Sequence, residues 1–263
     1  SPALWTLAQS NGFLVEVDGK PHAAMTYGAN RFDEKPLLGC QYRFWGARRL
    51  WAPSQTGDID LTAYYDAFFV PDNKISLADC MELMRYRYEG TPNDTNQNPQ
   101  CRPIGVNYTE AAHLFWLRAH RPIVEWVALA NPEFSVFLPL YGNLTTTPDA
   151  YTFDCNTYDE RSAYSVYRWL DTLGSLDRTD WGYPIRRHWR AMEEQLIADM
   201  PQMDQAYIDA GYSGDVAAQL FAAIAEKALA DARTLTGEVI PKVIDWNIEG
   251  MGASAMHDDP SKN

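Results

Sequence analysis

Hydrophobic positions in this chain follow two rhythms. Between residues 112 and 138 they come in short aromatic and β-branched runs, 112–118, 123–129 and 134–138, parted by His120-Arg121-Pro122 and by Asn131-Pro132. Runs of this length between turn residues predict three strands, the first two forming a hairpin. Pro139 has no N–H to give a ladder and is expected to close the third. Both faces of the hairpin carry large apolar groups, Leu114, Trp116 and Trp126 against Phe115, Leu117 and Val127. Cover on both sides is therefore expected, as in a layered fold.

Elsewhere the period is helical. Ser1 and Pro2 read as an N-cap and first helical residue, with Gly12 as the stop. The run 13–17 and a turn at Asp18-Gly19 follow. Ser76 and Asp79 form a capping box before Leu77, Cys80, Met81, Met84 and Tyr88, which share one helical face. The Asn- and Pro-rich segment 89–100 reads as a loop. After residue 145 turns give way to helices over 163–173, 184–200 with Pro201 as its stop, 202–210, and an alanine-rich stretch over 215–235 ahead of Gly237. The pattern divides the chain into a sheet-containing part over 1–160, a helical region over 161–250 and a disordered tail over 251–263. The helical stripes read as core that packs on the sheet or pairs with a second subunit, so a homo-oligomer is compatible with them.

Composition narrows the chemistry. The chain has 263 residues, 46% of them hydrophobic, enough for a sizeable core, and no apolar run long enough for a membrane span. Its net charge of -13 repels phosphate backbones, which argues against nucleic acid as a partner. Cys40, Cys80, Cys101 and Cys155 are far apart and form no C-x-x-C pair, and the five histidines are scattered, so neither a disulfide framework nor a metal site is expected. Cys80, on an apolar helical face, reads as a buried thiol. Ser1 could act as a terminal nucleophile with its own amine as base, but Pro2 places it on a helix, where capping is the better reading. The stretch 42–51 sets Arg43, Arg48 and Arg49 among Tyr42, Phe44, Trp45 and Trp51. Its guanidinium groups either stack on rings or hold a carboxylate or oxyanion in a site. Asn131 before Pro132, and Asn143, read as turn residues.

An ordered set of motifs is more specific. Ser1-Pro2, Gly12, Tyr27-Gly28, Gly46-Ala-Arg-Arg-Leu-Trp51, Lys74-Ile-Ser, Arg87-Tyr-Glu-Gly-Thr-Pro92, Arg102-Pro-Ile-Gly105, His113 through Arg118, Trp126-Val-Ala-Leu129 and Phe137-Leu-Pro-Leu-Tyr141 resemble the dipeptidase A family. These are bacterial cysteine dipeptidases related to penicillin V acylase, bile salt hydrolases and acid ceramidase. The likeness runs from Ser1 to about Trp189 and implies an α+β fold, the four-layer αββα sandwich of N-terminal-nucleophile hydrolases, here its C-terminal half with an added helical region. It implies cleavage of a dipeptide through an acyl-enzyme, with no cofactor and no metal. The family's nucleophilic cysteine stands at the start of a preceding segment, so the resemblance implies that this chain is the later half and takes its nucleophile from an N-terminal half of the same enzyme. Arg49, then Arg48, matches in position the arginine that related acylases bring to the active site. An acylase acting on N-acyl amides, or a peptide-binding or assembly module without catalysis, are the rival readings. No targeting segment assigns a location.

Overall fold

The structure, a computed structural model, describes residues 16–17, 20–21, 38–63, 65, 68–153 and 157–257. The helix expected at Ser1-Pro2 and the connection holding Cys155 lie outside the described residues. Two compact units divide the chain, residues 1–104 and 105–263, so the sheet and the helices after it fall in the same unit. The secondary structure is α+β, and no helix among the described residues is long and apolar enough to cross a membrane.

In the first unit, β1 (Glu16–Val17) pairs antiparallel with β2 (Lys20–Pro21), and the turn expected at 18–19 lies outside the described residues. Helix α1 spans Leu38–Trp51 and α2 spans Leu77–Arg85. The capping box is present: Ser76 Oγ accepts from the Asp79 N–H, and the Asp79 carboxylate accepts from the Ser76 N–H at 2.7 Å. Those hydrogen bonds favour the ionised carboxyl and hold the Asp79 pKa below its usual value. One expectation is corrected here. The helix stops at Arg85, and Tyr88 reaches the core from a left-handed turn (φ 65°), outside the helical stripe that sequence spacing suggested.

Tyr88 is fully buried with Trp45 and Cys101, and its hydroxyl donates to Arg102 O at 2.7 Å. Its ring lies so close to α1 that only a residue without Cβ fits opposite. A Cβ on Gly46 would overlap Tyr88 Cε1 and sit 2.9 Å from Cδ1. Gly46→Ala is expected to cost about 1–3 kcal/mol despite alanine's better helix propensity, because the buried ring must shift. Gly57→Ala, with open space around it, should change little. Urea unfolding of the two variants compares them directly.

The second unit contains β3 (Ala111–Trp116), β4 (Val124–Leu129) and β5 (Leu138–Tyr141) in an antiparallel sheet of order β3-β4-β5. The expected hairpin is there, with Leu114 opposite Trp126. The third strand, however, begins where sequence reasoning ended it. Residues 134–137 are buried but not strand, because their backbone bonds go to a helix: Trp189 Nε1 donates to Phe134 O at 2.8 Å and Glu193 accepts from the Phe137 N–H at 2.7 Å. Pro139 then sits inside β5, opposite Trp126, which an edge strand tolerates.

One face of the sheet is closed, with Val124, Trp126 and Ala128 at 0% exposure. The other departs from the two-sided cover expected. Toward β5 it backs a cavity of about 170 Å³ lined by Val127, Leu138, Leu140, Tyr151, Tyr167 and Phe221, whereas toward β3 it leaves Phe115 65% and Leu117 71% exposed.

Helices complete the unit: α3 (Asp149–Thr152), α4 (Ala163–Leu176), a π-helical turn (Arg178–Gly182), α5 (Tyr183–Asp209) and α6 (Gly214–His257). Three stops read from sequence are overrun. Gly174 lies inside α4, where a Cβ would meet the Phe134 ring at 2.9 Å, so glycine serves close packing there. Pro201 lies inside α5, and Gly237 inside α6. In α5 the buried stripe Ile185, Trp189, Glu193, Leu196, Met200, Asp204 and Tyr207 runs straight past the proline. An interior proline costs about 3 kcal/mol, and the anchors beyond it, above all Asp204, offset that loss.

Candidate functional site

The cavity in the first unit is built by a helix end and a segment folded back on it. Helix α1 buries Gln41 and Trp45 at i, i+4 spacing, followed by Ala52 just past its end. Trp45 Nε1 donates to Gly57 O at 2.9 Å, which ties the chain after the helix to its flank. Asp72 accepts from Ser54 N–H at 2.8 Å and Ser54 Oγ at 2.6 Å, while Gln55 Nε2 donates to Val70 O at 3.1 Å. These bonds hold the Asp72 pKa below the usual carboxylate value and fix residues 68–72 beside the helix end. Between them lies a cavity of about 440 Å³.

Arg48, in the last turn of α1, lines this cavity together with Trp45, Tyr65, Phe68, Phe69 and Asp58. Its guanidinium carbon stands 4.8 Å from the centre of the Phe69 ring and 5.3 Å from that of Tyr65. The stacking reading of this stretch is thus realised, but on rings from another segment rather than on its own neighbours. Arg49 is exposed and outside the cavity wall; its charge opposes the rise that burial imposes on the Tyr86 pKa. On a strand the two would face opposite ways, but both sit on a helix, about 100° apart. Arg43 Nε donates to Pro103 O at 3.2 Å.

The cysteines divide by environment. Cys101 is fully buried beside Trp45 and Tyr88, and Cys80 is half-buried with its thiol pKa raised by burial and by the Asp79 charge. Cys80 is thereby a poor nucleophile, since the thiolate is the reactive form, and Cys101 is shut off from solvent. Cys40 is half-buried and reduced. Of the histidines, His113 pairs with Glu125 on the exposed side of the sheet and His120 occupies a turn at φ 57°.

A polar cluster in the second unit was not visible as such in the sequence. Asn131 is a turn residue as expected, its Oδ1 accepting from the Glu133 N–H at 3.1 Å, but its Nδ2 also donates to Asp171 Oδ1 at 2.9 Å in full burial. Glu133, 1% exposed, pairs with Arg178 at 3.1 Å. Burial pushes the Asp171 carboxyl up to about 6, against the Asn131 hydrogen bond and Arg168. A folded-state pKa above the unfolded value means the native state holds the proton more tightly. Stability from this group is present at about pH 4 and lost as pH rises through 6. Asp171→Asn is expected to be more stable than the parent by up to about 3 kcal/mol at pH 7 and to match it near pH 4, by urea titrations at both values. Asn143 is exposed and ties the end of β5 to the α5–α6 turn, donating to Tyr212 O at 2.8 Å.

Missed by sequence reasoning were Tyr65, Phe68, Phe69 and Asp171. The aromatic pair at 68–69 stands in a segment without helical or strand period, and Asp171 shows no sign of its partner 40 positions away.

With this geometry in place, comparison with known proteins is informative. The sequence matches peptidase family C69 over residues 1–190. It is 25% identical over 226 residues to a protein named probable dipeptidase B from Streptococcus pyogenes serotype M18, covering 78% of this chain and 44% of that protein. It is 27% identical over 196 residues to a probable dipeptidase from Salmonella dublin, covering 65% of this chain and 45% of that one. A probable dipeptidase A of S. pyogenes is 23% identical over 171 residues, 58% of this chain and 35% of the relative. The chain thus spans less than half the length of these curated relatives. Its own match extends from the first residue through the aromatic cavity, the sheet and the start of α5, and on that ground the chain belongs to peptidase family C69.

Proposed function

We propose that this chain is part of a cysteine-type dipeptidase with the αββα sandwich fold, whose attacking thiol belongs to an N-terminal half outside this sequence. The observation that carries this reading is the family match through residue 190 together with relatives named probable dipeptidases. The sheet supports it: the apolar face at Phe115 and Leu117 is open in the way a facing layer would cover. The buried state of Cys101 and the raised thiol pKa of Cys80 favour a nucleophile from elsewhere.

In the reaction the thiolate attacks the dipeptide carbonyl after its own α-amine takes the proton. The amide C–N bond breaks as that proton passes to the leaving amine, and water then hydrolyses the thioester. Arg48 is the substrate-facing arginine in this reading, since it lines a cavity of ligand size, and Arg49 is the alternative.

The test uses the longer protein in which this chain is joined to its N-terminal half. Free amino acids are expected to appear from dipeptides, and prior iodoacetamide treatment should abolish their release. Mapping should place the label on a cysteine other than Cys40, Cys80, Cys101 and Cys155. Dipeptide binding without cleavage, or full activity after alkylation, sinks the reading.

A further inference from the structure

We infer that the groove between α5 and α6 is a second binding site, which takes a short apolar peptide with both termini free, its carboxylate at Lys227 and His188 and its ammonium at Asp199. The site lies within the second unit and is independent of the dipeptidase reading, which makes no use of it.

The groove has a volume of about 540 Å³, within the range of roughly 300–1,000 Å³ in which small ligands are held. Its walls are mainly apolar, with Ala191, Met192 and Leu196 from α5 and Ala223 and Ile224 from α6. Apolar side chains of a ligand gain free energy by covering such a surface, and methionine adapts to groups of different shape. Charges mark the two ends. At one, Asp231 Oδ2 accepts from Lys227 Nζ at 2.7 Å and lies 3.2 Å from His188 Nε2. A single carboxylate oxygen thus serves two nitrogens, and Lys227, 65% exposed, keeps donors for a further anion, since an ammonium has three. At the other end Asp199 accepts from Gln195 Nε2 at 2.9 Å through one of its two oxygens.

The spacing of these ends sets the length of the occupant. Asp199 stands eleven positions after His188, which returns it to the same face of α5 about 16 Å further along the axis. An extended chain advances about 3.3–3.6 Å per residue, so about four or five residues join the two ends. A helix about 10 Å across would not fit in this volume over that length. A fatty carboxylate would satisfy only the cationic end. Charge complementarity therefore fixes the direction of the peptide as well as its kind. A dipeptide is too short to reach both ends.

Calorimetry of the intact protein with the tetrapeptide Leu-Ala-Ala-Leu tests this. Amidation of its carboxylate and acetylation of its amine are each expected to weaken binding at least threefold. Lys227→Ala should erase only the effect of amidation, and Asp199→Asn only that of acetylation. Neither side chain is buried, and urea midpoints should stay unchanged in both variants. Ile224→Glu should weaken the tetrapeptide at least tenfold while leaving the binding of Leu-Leu unaltered. A tetrapeptide indifferent to Ile224→Glu is held elsewhere, in the dipeptide-cleaving site included, and that result rejects the groove. Equal binding of free and capped peptides, tighter binding of decanoate than of the peptide, or no binding at millimolar peptide overturns the proposal, whether or not dipeptides are cleaved.

Discussion

Asp204→Ala is expected to lower the unfolding free energy of the second unit by about 3–5 kcal/mol. Asp204 lies on α5 at 1% exposure and accepts both arms of Arg118, Nη1 at 2.6 Å and Nη2 at 3.0 Å. The Tyr141 hydroxyl donates to the same carboxylate at 2.8 Å, and burial together with that bond pushes the tyrosine pKa up. Three elements are thereby joined: the turn after β3, strand β5 and the half of α5 beyond Pro201. Removing the carboxylate leaves a guanidinium with 15% exposure facing its partners without a counter-charge. Tyr141→Phe, which removes one hydrogen bond and leaves the ion pair, should cost only about 1 kcal/mol. Urea unfolding read by fluorescence measures both; a loss below 1 kcal/mol for Asp204→Ala would show that the pair contributes nothing net to the fold.

Arg48→Ala in the longer enzyme is expected to cut kcat/KM about a hundredfold, the scale of loss when a substrate is held off its productive position. Its stability should move by no more than about 1 kcal/mol, since the side chain is only partly buried. The parallel Arg49→Ala variant separates the two arginines. Should Arg49→Ala prove the more damaging, the exposed arginine faces the substrate and the cavity is not the site. Steady-state kinetics beside urea unfolding of each variant tells a catalytic loss from a folding one.

Local signals were readable in this chain, and distant ones were not. The Ser76–Asp79 box and the β3–β4 hairpin depend on residues a few positions apart, and both stand as the spacing implied. Stops were misread wherever tertiary contacts outweigh a local preference. Pro201 is carried by the buried stripe of α5, Gly174 stays helical because Phe134 needs the space, and 134–137 leave the ladder because α5 supplies their partners. The arginines at 48 and 49 were visible as candidates. What divides them, the rings of Tyr65 and Phe69 closing over only one, comes from chain that returns after a long excursion and carries no periodic mark.

Pro139 has a consequence for assembly. Placed in β5, it removes a donor from that border of the sheet, and α6 packs against the same strand. Growth of the sheet is therefore polarised: a strand added along β3 would find an amide at every residue from Ala111 to Trp116, whereas one added along β5 would meet Pro139 and α6.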